Sequence, residues 1–227
     1  MVTQVVGKRK VQHVDAEVEA APTLVAPRRR GMVDKHQERR DQLAASALVT
    51  LGELGYARTS LRDIAANSPF SHGVVHYYFR DKNELIVYCV RYHKSRCVRR
   101  YDDIVESAES AEELLDGFIA KLRETLTADA PMHRLWYDLR SASMFEEPLR
   151  ETVALIDGWL EEMVWRIATR LSTLAGRELA TSRAATYAIV DGLFQQALLE
   201  MHDRPAESLD RIEQSLRDLL PRLLLSS

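Results

Sequence analysis

Long apolar runs are missing from this chain, and with them the roughly 18 consecutive apolar residues that a membrane-spanning helix requires, so a soluble protein is expected. The opening MVTQVVGKRKVQHVDAEVEA holds no apolar stretch leading to a small-residue cleavage site; export is not expected, and the cytoplasm is the default compartment. Cysteine is scarce. Cys89 and Cys97 fall on one predicted helix, eight residues and therefore about 12 Å apart. That is beyond the reach of a disulfide, so two reduced, buried thiols are expected, with a redox pair between subunits as the alternative. Alternating strand patterns are also missing, as are G-x-S-x-G, a phosphate loop, a dinucleotide fingerprint, H-E-x-x-H and paired cysteines. No enzyme, cofactor or metal site is therefore expected. Acidic neighbours such as Glu112-Glu113, Glu146-Glu147 and Glu161-Glu162 point different ways on helices and read as solvated.

What is present is a lopsided charge distribution on an ordinary globular composition, 46% hydrophobic and 29% charged. Between Arg28 and Arg100 there are 15 Lys and Arg against 7 Asp and Glu; from Tyr101 to Ser227 the counts are 13 and 24. A cationic segment joined to an anionic one implies a polyanionic partner for the first and a different task for the second.

Residues 1–32, with Pro22, Pro27 and the run Arg28-Arg29-Arg30-Gly31, read as a flexible basic extension. Asp34 can cap a first helix carrying Leu43, Ala47, Leu48, Leu51 and Leu54 on one stripe, closed by Gly55 in a left-handed conformation. Ser60 and Asp63 form a capping-box-like start for a short second helix, which Pro69 prevents from passing Ser68. Ser71 caps a third, through Tyr77, and Asp81 with Glu84 a fourth, from Lys82 to about Glu106. Two short helices about a tight turn make a helix-turn-helix, whose second helix enters the DNA major groove.

The stretch LGELGYARTSLRDIAANSPFSHGVVHYYFRDKNELI, residues 51–86, resembles the DNA-binding module of the TetR family of bacterial repressors. Gly55-Tyr56, Thr59-Ser60, Asp63-Ile64-Ala65, Ser71 with Gly73, Tyr78-Phe79 and the Lys82–Leu85 helix start match in order and spacing. The resemblance implies an all-α protein. A helix-turn-helix domain at 33–80 would precede a helical ligand-binding and dimerisation domain at 81–227. Such a homodimer would repress from a pseudo-palindromic double-stranded operator until a small-molecule effector, largely apolar, released it. The alternative is an effector-independent helical module that binds DNA or other proteins. Two departures stand out: Ser68-Pro69-Phe70 replaces the family's usual Ala-Gly-Val turn, and Val75-His76 its Leu-Tyr. Proline cannot take the positive φ that glycine supplies, so this turn must be built differently.

On the third helix, Val75 and Phe79 are expected to face the core and to leave His72, Gly73, Val74, His76 and Tyr77 outward. Gly73 permits close backbone approach, Val74 can touch a thymine methyl, and His72 can reach a base edge. His76 and Tyr77 occupy positions that resemble the family's phosphate and base contacts. Thr59, Ser60, Arg62, Ser71 and Lys82 are candidate DNA contacts at neighbouring helix starts. Arg28, Arg29 and Arg30 are candidates for a minor-groove arm. The i, i+4 pair His72 and His76 has metal-ligand spacing but no third ligand in sequence.

The acidic remainder divides into helices at 111–127, 132–145, 149–174, 182–201 and 206–224, the last kinked at Pro221. The small face Ala184, Ala185, Ala188 and Gly192 permits close helix approach and, with the preceding helix, resembles the family's dimer interface; an intrachain bundle core is the alternative. Phe118, Leu122, Trp136, Tyr137, Met144, Phe145, Trp159, Met163, Trp165, Tyr187 and Phe194 are candidate cavity-lining residues, the cavity itself being implied by the resemblance.

Overall fold

The computed structural model describes residues 32–225, with side chains from Lys35 onward. Its ten α-helices are α1 (Met32–Arg58), α2 (Leu61–Ala66), α3 (His72–Tyr78), α4 (Lys82–Cys97), α5 (Asp102–Ser107), α6 (Ala111–Ala128), α7 (Ala130–Ala142), α8 (Glu147–Ala175), α9 (Arg183–Glu200) and α10 (Pro205–Leu219). The fold is all-α, as expected. Its one strand-like feature among the described residues is an isolated bridge between Leu179 and Leu224.

Local chemistry sets the helix ends. Ser60, Ser71, Asp81, Ser110 and Ser182 each accept from a backbone N–H in the first turn of α2, α3, α4, α6 and α9, and Ser60 with Asp63 completes a capping box. Helix α1 begins two residues before Asp34, so that aspartate lies inside it. Gly55 has the expected positive φ, 78°, but its ψ of 170° is extended and not left-handed helical; the chain therefore kinks there and resumes a helical turn to Arg58. Gly176, at φ 62° and ψ 30°, is the left-handed residue that closes α8.

Two long helices expected from periodicity are interrupted. The segment 82–106 breaks after Cys97, where the Arg100 guanidinium turns inward to Thr125 Oγ1 and Asp129 (2.8 Å) and Arg166 donates to the Val98 carbonyl at 3.0 Å. A side chain donating to that carbonyl competes with the helix ladder, so α5 starts afresh. The last helix stops at Leu219, and Leu220–Leu223 around Pro221 tighten into a 3₁₀ turn in place of a kinked helix.

Apolar side chains form two clusters. One runs without interruption from the head, through Leu43, Leu51, Ile64, Val75, Phe79 and Leu85, onto Leu135, Trp136 and Leu139 of α7 and Leu149, Val153 and Ile156 of α8. The other gathers α6, the C-terminal half of α8, α9, α10 and the closing turn around Leu122, Leu126, Val164, Ile167, Val190, Ile212 and Leu216. The head thus shares its core with the body: Gly52 of α1 lies so close to Pro131 and Met132 that a Cβ there would sit 2.8 Å and 2.5 Å from their side chains.

Candidate nucleic-acid interface and internal cavity

Helix α3 is two-faced. Val75 and Phe79 are wholly buried, whereas Ser71, His72, Gly73, His76 and Tyr77 are exposed, Tyr77 at 75%. Val74 is half-buried and leans on the core, leaving part of its surface accessible. The His72 and His76 rings meet edge-on with centroids 4.4 Å apart, and Tyr77 stands against Tyr78, which in turn packs on His36 of α1. Imidazole and phenol groups are therefore gathered on one surface, able to donate to phosphate and base edges.

The turn before α3 contains no positive φ, as proline at position 69 demands. Ser68 supplies the closure instead: its hydroxyl oxygen accepts from the Phe70 N–H at 3.2 Å, and Phe70 is buried beneath the Arg39 guanidinium.

The surrounding candidates divide. Arg62 is exposed on α2, beside the face. Ser60 and Ser71 occupy cap positions, and the Ser60 hydroxyl also donates to Asp63 at 2.6 Å, holding that carboxylate below its usual pKa. Lys82 is half-buried, its ammonium over the Tyr56 ring and 3.4 Å from the Ala57 carbonyl. Thr59 does not join the surface: it is 2% exposed and its hydroxyl donates to the Gly55 carbonyl at 2.7 Å, closing the kink at the end of α1. Arg28, Arg29 and Arg30 lie outside the described residues.

A second site lies inside the body. A cavity of about 70 Å³ opens among α4, α6, α7, α8 and α9. Of the residues expected to line it, Phe118, Leu122, Trp136, Tyr137, Met163, Tyr187 and Phe194 do so. Four do not. Met144 and Phe145 stand in solvent between α7 and α8, at 66% and 85% exposure; Trp159 faces a separate outer groove beside Arg91; and Trp165, half-buried on α8, is not among the residues that line the cavity. Only size argues for the first pair as lining residues, and Pro148 ends the regular helical pattern just beyond them.

Charge inside this cavity escaped the sequence reading. Lys94, Arg100, His133 and Asp191 line it beside the aromatics. Asp191 accepts from the Tyr137 hydroxyl at 2.9 Å and from Arg140 at 2.6 Å; Tyr187 donates to Asp157 at 2.6 Å, and Arg140 bridges to Asp157 at 3.2 Å. Burial and the neighbouring carboxylates push both phenols well above their ordinary range. Lys94 is 2% exposed and, among the described side chains, reaches His133 Nδ1 at 3.4 Å and the Trp136 ring at 5.3 Å. Burial lowers its ammonium to about 8 and drives His133 well below the usual imidazole value; His93, next along α4, falls to about 4 for the same reason. The legible signal was a charge on an apolar stripe: Lys94 continues Cys89, Val90 and Cys97 along α4. Both cysteines are buried free thiols, Cys89 raised far above its ordinary pKa by desolvation.

Comparison with known proteins agrees with this geometry. Residues 43–89 match the model of bacterial regulatory proteins of the tetR family. The chain is 29% identical over 169 residues to the HTH-type transcriptional regulator BetI of Burkholderia thailandensis, covering 71% of this chain and 82% of that one. Among solved structures, a transcriptional regulator from Saccharomonospora viridis in complex with choline superposes with a TM-score of 0.68 at 16% identity, covering 84% and 100% of the two chains. FadR from Bacillus subtilis in complex with stearoyl-CoA gives 0.63 at 16%, covering 79% and 96%. At such identity the structural likeness is one of fold.

Proposed function

We propose that this chain, a member of the tetR family of bacterial regulatory proteins, is a homodimeric repressor that reads a pseudo-palindromic operator and lets go when a small molecule fills its internal cavity. The observation that carries the reading is the opposition of faces on α3, with Val75 and Phe79 wholly buried and His72, Gly73, His76 and Tyr77 in solvent. A helix anchored so firmly on one side presents the other as a fixed pattern of donors, which groove recognition needs.

A dimer is favoured by the outer face of α9. Ala184, Ala185, Ala188 and Gly192 are exposed, with Leu199 at 73%, and a Cβ added at Gly192 would meet nothing within 4 Å. Small residues on an open helix face admit a second helix at short range, and a two-fold axis there would set two reading helices about 34 Å apart, one turn of DNA.

Release follows from the shared helices. The cavity is walled by α4, which only three residues separate from α3, and by α7, against which α1 is packed. A ligand that displaces either helix re-aims the head. A 100-fold loss of operator affinity requires about 2.7 kcal/mol of differential binding between the two states. The same fold holds choline in one relative and stearoyl-CoA in another, in keeping with a small-molecule site in the helical body.

The test is selection of bound fragments from genomic DNA by the purified protein, followed by anisotropy titration of the enriched duplex and light scattering of the free protein. A dimer with sequence-selective binding is expected. A strict monomer, or indifference to any duplex at low salt, overturns the proposal.

A further inference from the structure

Building on the cavity as the effector site, the geometry points to its chemical class: we propose that it takes a small monocarboxylate, with Lys94 and Trp136 receiving the carboxylate, His133 holding the ammonium in place and the surrounding aromatics taking the apolar body. This gives the largely apolar effector that the resemblance implies an anionic end.

Hydrogen-bonding capacity decides the sign of the charge. Asp191, the one carboxylate among the described residues that line the cavity, is already held by the Tyr137 hydroxyl and the Arg140 guanidinium, 2.9 and 2.6 Å away. The lining cation Arg100 is paired with Asp129 at 2.8 Å. Lys94 makes no ion pair with any described carboxylate, although it is 2% exposed; its contacts are an imidazole nitrogen and the face of an indole. With the ammonium donating, His133 Nδ1 must accept, which places the ring proton on Nε2. That Nε2 and Trp136 Nε1 are both buried without a hydrogen-bond acceptor. The ammonium thus has one neutral acceptor for its three N–H bonds and the Trp136 N–H has none among the described residues, a shortage that a carboxylate with its four lone-pair sites would relieve. A quaternary ammonium such as choline would instead meet a buried like charge, at a cost that aromatic faces only partly offset.

The volume limits the body. At about 70 Å³ the cavity holds about five waters, one water needing roughly 10–15 Å³ on the same measure. That suits a single ring or a short branched chain, with the flexible Met163 yielding at the wall. A long acyl chain does not fit.

The test is calorimetric titration of the purified protein with benzoate, phenylacetate and isovalerate, against benzamide, benzyl alcohol, choline and benzyltrimethylammonium. Wild type, Lys94→Met and Trp136→Phe would be compared, each checked by circular dichroism. At least one acid should bind tenfold or more tightly than its neutral counterpart, and Lys94→Met should erase that preference. Trp136→Phe, which keeps an aromatic face but removes the indole N–H, should reduce it severalfold and carries the test if Lys94→Met does not fold. Binding of the cations alone, of no acid at all, or of acids equally well by Lys94→Met overturns the inference. Operator binding measured on the same samples separates the two readings: intact DNA binding without acid binding discards the monocarboxylate and leaves the repressor standing.

Discussion

The Tyr56 amide donates to Asp138 Oδ2 at 2.6 Å, tying the kink that ends α1 to helix α7, a wall of the cavity. Gly55 makes the approach possible, since a Cβ at its φ of 78° would be strained and would sit 3.1 Å from the same oxygen. The Tyr56 hydroxyl lies 3.0 Å from Asn83 Oδ1 and 2.5 Å from Glu146 Oε2, either of which can accept its proton, so one residue touches α4, α7 and the residue just before α8. Its phenol is held well above the ordinary range, chiefly by burial and then by Glu146.

Replacing Asp138 by alanine should therefore act on stability and on signalling together. An orphaned, part-buried amide costs about 1–3 kcal/mol, readable in urea unfolding. The ratio of operator affinities with and without effector should shrink. A variant as stable and as responsive as wild type would remove this joint from the mechanism.

Tyr77→Ala and His76→Ala should each weaken operator binding tenfold or more while leaving the thermal midpoint unchanged, because both side chains lie in solvent. Val75→Ala should do the reverse, costing roughly 1–3 kcal/mol of stability through a core cavity. Wild-type affinity in both surface variants would refute the assigned face. Deletion of Arg28, Arg29 and Arg30 should flatten the salt dependence of binding if that run contacts phosphates.

Stability should fall as the medium is acidified from pH 6.5 to 4. Over that window an unfolded histidine binds a proton that folded His93, with its pKa near 4, and folded His133 refuse, so protonation favours the unfolded chain. For His93 the full loss is up to about 3 kcal/mol. His93→Gln should flatten the acid limb of a stability-versus-pH curve; an unaltered limb would contradict the burial argument.

Lys94 predicts an alkaline counterpart. Its folded pKa, about 8, lies below the unfolded 10.5, so burying the ammonium destabilises fully below pH 8 and the penalty fades as pH rises to 10.5. Lys94→Met should be more stable than wild type by about 3 kcal/mol at pH 7, with the gap closing by pH 10.5. A gap independent of pH would show that lost charge is not its cause.

Ala188→Arg should yield a folded protein that scatters light as a monomer and binds operator at least 100-fold more weakly. Ala188 is exposed in the single chain, so arginine there harms only an intermolecular contact. A dimer that persists would place the interface elsewhere.

Periodicity and capping chemistry were enough to determine the helical class, the caps Ser60, Ser71 and Asp81, and the inward turn of Val75 and Phe79, because each depends on neighbours within a few residues along the chain. The same holds for the Ser68-Pro69 turn, whose lack of glycine required another closure. Tertiary structure alone decided that α4 breaks at Val98, that Thr59 is spoken for by Gly55, that Met144 and Phe145 face solvent, and that Lys94 and His133 meet. Those outcomes depend on groups distant in the chain, Arg166 and Val98 or Lys94 and His133, whose encounter is set by packing of whole helices, and no local pattern records which side chains such packing brings together.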